Sequence, residues 1–200
     1  MEAIHGLALI AGAINAYAFW RYNKDVFVGS TSPNAATWFL WALVTVVQAT
    51  TYHGMRVHWT TLVVMISDSG LCIITFFFLL LAGKFGKLDR ESGRIVALSI
   101  GAVILWQVTS AALGNAMSQI PYALAFLPTI RDARDGKTIE DPQVWVLFTI
   151  SFVVNFIVVC IQWSGKMEEF LFSVVAIVMH AILTHYAFRG RRIHAPATRT

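Results

Sequence analysis

Apolar residues fall along this chain in seven stretches separated by short polar segments. The stretches cover approximately residues 4–20, 34–53, 60–83, 94–113, 117–130, 143–163 and 169–188. A helix needs about 20 apolar residues to cross the hydrocarbon layer. The pattern therefore predicts an all-α membrane protein with seven transmembrane helices. The fifth stretch is the shortest and holds Pro121 and Pro128. Each proline removes a backbone donor and bends a helix. The first stretch reads as a retained helix rather than a signal peptide. Glu2 is its only early charge, and the small triplet Ala11-Gly12-Ala13 lies inside the apolar run.

Composition excludes the two alternatives to a membrane protein. Charged residues make up 13% of the chain and hydrophobic ones 57%, whereas a soluble domain carries about 25% charge. Fourteen Phe and seven Trp exclude disorder. Cys72 and Cys160 both lie in apolar runs, so they read as small buried residues and not as a disulfide or metal framework.

Charge gives an orientation. If the loops and termini of the seven spans alternate between faces, one face receives Arg21, Lys24, Lys84, Lys87, Arg90, Arg94, Arg131, Arg134, Lys137, Arg189, Arg191, Arg192 and Arg199. The other receives Arg56 and Lys166. The positive-inside rule then places the N-terminus outside and the C-terminus in the cytoplasm, in what is expected to be the cell (inner) membrane. The basic residues are topology signals, not a nucleic-acid surface. Trp20, Tyr22, Trp59, Trp163 and Tyr186 near the span ends suit the headgroup level.

An internal repeat accompanies the seven spans. A shift of 107 residues puts Trp38 on Trp145, Trp41 on Phe148, Gln48 on Asn155 and Gly83 on Gly190. For the first helix the shift is 110, with Arg21 on Arg131 and Ala18 on Pro128. The expected plan is a 3+1+3 arrangement of parallel triple-helix bundles. Residues 1–83 form the first bundle, 84–116 the linker helix, 117–190 the second bundle and 191–200 a basic tail.

This plan resembles the SWEET sugar transporters and the wider PQ-loop superfamily. Leu127-Pro128-Thr129-Ile130-Arg131, with the charged loop that follows, is similar to the proline-containing end of a PQ-loop helix. Pro33-Asn34-Ala35-Ala36-Thr37-Trp38-Phe39-Leu40-Trp41 resembles the start of helix two in small bacterial proteins of this type. The chain departs from the pattern at Ala18, where the repeat leads one to expect proline, and in having Pro-Thr rather than Pro-Gln in helix five. A literal Pro142-Gln143 opens helix six, where the family does not place it. The resemblance implies a solute cavity between two bundles, with access alternating from side to side and Pro128 at a gate.

Polar residues inside the spans are the candidates for chemistry. Asp68 is the one acid well inside a span, and an ionised carboxylate there costs about 3 kcal/mol or more on insertion scales. It reads either as a substrate or proton-coupling group or as a structural acid bonded to a neighbour. The resemblance pairs it with Tyr52 of helix two, whereas Val159 and Val175 occupy the shifted positions, so the cavity is expected to be chemically lopsided. Asn15, Gln48, Gln107 and Asn155 are amides of the kind that join helices. Gln48 and Asn155, which correspond across the repeat, are candidates to line a cavity, while Gln107 is expected to pack. His180 is the deeper of two histidines on helix seven, and Trp38 and Trp41 could form a stacking wall. Gly6, Gly12 and Gly101 permit close helix approach.

No lysine lies within a span to carry a retinal Schiff base, and no histidine pair suits a bis-histidine haem. No catalytic motif is present. No cofactor, metal or enzymatic activity is expected. The leading expectation is a transporter of a small polar solute. The alternative is a non-transporting membrane subunit or assembly factor, and either is compatible with a homo-oligomer or a membrane-complex partner.

Overall fold

The computed structural model describes residues 2–84 and 90–194. The side chains of Lys87, Arg191, Arg192 and Arg199, named above in the charge count, lie outside the described residues, as does the rest of the tail. Seven helices are described: α1 (Glu2–Phe27), α2 (Ala35–Gly54), α3 (Trp59–Leu81), α4 (Arg90–Val108), α5 (Ala111–Arg134), α6 (Pro142–Gln162) and α7 (Glu168–His194). Five of them, α1, α3, α4, α6 and α7, are long and apolar enough to span a membrane. The outer surface agrees. Leu9, Ile66, Ile74, Ile104, Ile157 and Val178 are among many large apolar side chains left exposed, while Asn15, Gln48, Asn115, Asn155 and Glu169 are buried. A soluble monomer rarely exposes so much apolar surface. The chain is an integral membrane protein.

Local chemistry explains the helix ends. Asn34, Ser110 and Asp141 accept from backbone N–H groups in the first turns of α2, α5 and α6, satisfying donors that have no partner within the helix. α1 runs past its apolar stretch to Phe27. Asn23 Nδ2 donates to Phe19 O and to Thr75 Oγ1 there, at 3.0 and 2.9 Å. The reversal between α4 and α5 comes earlier than the apolar pattern places it. It needs Gly114, where a Cβ would lie 2.5 Å from Trp106 Cβ. Gly12 is the other glycine in close quarters, since its Cβ would meet Val63 Cγ1 at 2.8 Å. Gly6 and Gly101 face open space, contrary to the close-approach role expected for them.

Among the principal contacts, α3 packs on both α1 and α2, and α7 packs on both α5 and α6. The two groups meet along α1·α6 and α2·α5, and α4 lies outside them against α5 and α2. Interactions between helix ends gather the basic segments at one end of the bundle. Lys84 Nζ donates to Val26 O at 3.2 Å, Asn34 Nδ2 to Asp132 Oδ2 at 2.8 Å, and Arg131 pairs with Glu91 at 2.8 Å. Tyr52, Met55, Lys166 and Glu169 meet at the opposite end.

Candidate functional site

The two helices that fall short of a candidate span, α2 and α5, place polar side chains against each other. Gln48 Nε2 donates to Gln119 Oε1 at 2.9 Å, Asn115 Nδ2 to Thr51 Oγ1 at 3.2 Å, and Thr129 Oγ1 to Thr37 Oγ1 at 2.9 Å. Neither helix passes as a span on its own hydropathy, because these side chains lower it. Facing a polar partner instead of lipid removes the penalty.

A small cavity lies between the two groups of helices. Phe19 of α1 and Trp38 and Trp41 of α2 line it, with Asp68 and Cys72 of α3. Tyr122 and Phe126 of α5, Trp145 and Phe148 of α6 and His180 of α7 complete it. Six helices contribute, and α4 does not. Its volume is about 10 Å³, room for roughly one water molecule. The rings touch one another: Trp41 and Phe126 have centroids 4.6 Å apart, Trp38 and Trp41 4.9 Å, and Trp145 and Phe148 5.5 Å.

The cavity has few polar atoms. Asp68 is 4% exposed. Its Oδ1 accepts from Asn15 Nδ2 at a long 3.4 Å, and Ser67 Oγ in turn donates to Asn15 Oδ1 at 3.3 Å. His180 Nδ1 lies 2.8 Å from Ala176 O. Donating there leaves Nε2 as an acceptor. The Phe126 and Phe152 rings lie 4.9 and 4.8 Å from the imidazole. Trp41 Nε1 is buried with no hydrogen-bond partner.

Of the sequence candidates, Asp68, His180, Trp38 and Trp41 meet at this cavity, and Asn15 supports Asp68 from behind. The others lie elsewhere. The Tyr52 hydroxyl donates to Glu169 O at 3.1 Å, at the far end of the bundle, so it is not beside Asp68. Gln48 belongs to the α2–α5 seam. Asn155 Nδ2 donates to Ser173 Oγ at 2.9 Å, joining α6 to α7. Pro128 lies inside the unbroken helix α5, one residue before the Thr129–Thr37 contact. Gln107, expected to pack, is exposed at the end of α4. Tyr22, expected at the headgroup level, is 1% exposed and sits in the core, because its hydroxyl accepts from Trp38 Nε1 at 3.0 Å.

Sequence reasoning missed Trp145 and Phe148 as cavity residues. The signal was available, since they are the shifted counterparts of Trp38 and Trp41. It also missed Glu140, in the α5–α6 loop. Hydrogen bonds between Ser32 and Ile139 fold this loop back on the α1–α2 loop, and Glu140 ends 3% exposed. Its Oε2 accepts from Trp145 Nε1 at 3.2 Å, and Oε1 has no partner. Burial pushes its carboxyl up to about 8, against hydrogen bonds from Trp145 and Tyr22 that favour the charged form. Glu140 therefore ties the loop to Tyr22, Trp38 and Trp145 below the cavity. Beside it Arg21 bonds Asp141 at 2.8 Å and also reaches Gln143.

Among the described residues, no three His, Cys, Asp or Glu side chains are grouped so as to hold a metal ion. No family model, curated protein or solved structure matches this chain.

Proposed function

We propose that this protein is a transporter that carries a small polar solute across the cell membrane by alternating access, and that the structure describes a form closed at both ends. One observation carries the reading: the cavity takes side chains from α1, α2 and α3 and from α5, α6 and α7, and none from α4. A cavity at the junction of two like bundles is where a rocking motion exposes a solute first to one side and then to the other. Support for the 3+1+3 repeat comes from the packing. Exchanging α1, α2 and α3 for α5, α6 and α7 turns the α1·α6 interface into α2·α5 and leaves the other principal contacts within the triplets matched. The shifted pairs Trp38/Trp145 and Trp41/Phe148 both line the cavity. The proposal includes α2 and α5 as spans, and the positive-inside rule puts the basic end in the cytoplasm. This is the architecture that the resemblance to SWEET and PQ-loop proteins implies.

The cavity's small volume favours a second reading, a non-transporting membrane subunit or assembly factor. Swelling of proteoliposomes in isosmotic solutions of sugars, polyols, amides, zwitterions and amine salts separates the two. On the transport reading at least one solute enters about tenfold faster than into protein-free vesicles. Thr37→Cys with Thr129→Cys, in a Cys160→Ser background, should stop that entry when oxidised and restore it when reduced. If every solute enters at the protein-free rate, transport falls and the second reading stands.

A further inference from the structure

The chemistry of the cavity wall narrows the solute class. A sugar is held by many hydrogen bonds, and this wall offers few polar groups: the Asp68 carboxyl, His180 Nε2, Trp41 Nε1 and the Tyr122 hydroxyl. Aromatic rings make up most of the remainder. Their faces carry negative quadrupole charge and attract cations, most strongly where water is excluded. The acid is placed among them without a basic partner. Among the described residues no Lys, Arg or His nitrogen pairs with Asp68, and its carboxylate accepts the long hydrogen bond from Asn15. The partner it thus lacks among the described residues is a positive charge.

We infer that the central cavity binds a small organic cation, with an ammonium head between Asp68 and the His180 acceptor and the alkyl part among the rings of Trp41, Phe126 and Trp145. The head is close to water in size, so the closed cavity of about 10 Å³ accommodates the head alone. The rest of the ion needs the rings to part. Asp68 supplies the opposite charge, His180 Nε2 accepts one ammonium N–H, and the rings exclude water and favour charge over a neutral isostere. The inference rests on the transport reading for how the ion arrives, but not for how it is held.

The test is therefore direct binding to the intact purified protein, read by the emission of its tryptophans, three of which line the cavity. Ethanolammonium and ethylene glycol are nearly the same size and differ by the charged head. Ethanolammonium should bind at least tenfold tighter than ethylene glycol in the parent protein, a comparison that needs no variant. Asp68→Asn should remove most of that preference. Trp41→Leu keeps the acid and should weaken ethanolammonium several-fold while leaving the preference for charge. Equal binding of the two probes overturns the inference, as does undiminished ethanolammonium binding in a well-folded Asp68→Asn protein. Swelling driven by neutral solutes, with no ethanolammonium binding, overturns the cation site and leaves the transport reading intact. Ethanolammonium binding that depends on Asp68, with no solute entry, upholds the site and overturns transport.

Discussion

The two ends of the bundle are closed with different chemistry. At the basic end the seal is made of acidic and basic groups of loops and helix ends: Glu140 under Trp145 and Tyr22, Arg21 on Asp141, and Asn34 on Asp132. Toward the far end α2 and α5 are joined by neutral groups, Gln48 to Gln119 and Asn115 to Thr51, and Tyr52 reaches a backbone carbonyl of α7. The difference follows from depth. Loops next to water hold carboxylates and guanidinium groups at tolerable cost, whereas helix interiors in hydrocarbon favour amides and hydroxyls that need no counter-ion. The α2–α5 seam, made of neutral groups, should therefore not respond to pH, whereas the Glu140 loop should.

The largest effect that would break this comparison concerns Glu140. Its folded value of about 8 lies above its ordinary value of 4.5. The folded state therefore holds the proton more tightly than the unfolded chain. The stabilisation is fully present below pH 4.5, and it declines as pH rises until it is lost above about 8. Thermal unfolding in detergent should show the melting temperature falling between about pH 5 and pH 8. Glu140→Gln should flatten that fall, and an equally steep fall in the variant would show that the pH response arises elsewhere.

A smaller effect is expected at the neighbouring ion pair. Asp141 is buried and Arg21 is partly exposed, so truncating the cation costs less than breaking a fully buried pair. Arg21→Ala should destabilise the protein by about 2 kcal/mol, read as a lower melting temperature. The deficit should shrink in high salt if screening reaches the pair.

The smallest effect sharpens the other side. Gln119→Leu removes the acceptor of Gln48 in the α2–α5 seam. The cost should be about 1 kcal/mol, as for other hydrogen bonds between membrane helices. It should be the same at pH 5 and pH 8. A pH-dependent cost would mean that the seam is coupled to the charged end.

The positions of particular residues show which parts of this structure are legible in the chain. Asp68 stands out because an acid among Val63, Ile66 and Leu71 has to meet protein or water, whatever the fold. Trp38 and Trp41 stand out because they are three apart at a helix start and have counterparts 107 residues later. The resemblance pairs Tyr52 with Asp68, whereas the Tyr52 hydroxyl donates to a carbonyl of α7, a contact no local pattern specifies. Glu140 is illegible for the opposite reason to Asp68. An acid in a polar loop reads as solvated, and only the pairing of Ser32 with Ile139 shows that this loop turns inward.

Hydropathy and charge along the chain determined that helices form, about where they run and that basic segments collect at one end. These are local or additive properties, set by the cost of exposing backbone and charge to hydrocarbon. Which helix faces meet was decided by tertiary packing, and with it the closed ring-lined cavity, the lack of a basic partner for Asp68 among the described residues and the burial of Glu140. Those features depend on contacts between residues far apart in the chain, such as Asn15 with Asp68 and Trp41 with Trp145. No one-dimensional pattern specifies the distances between them.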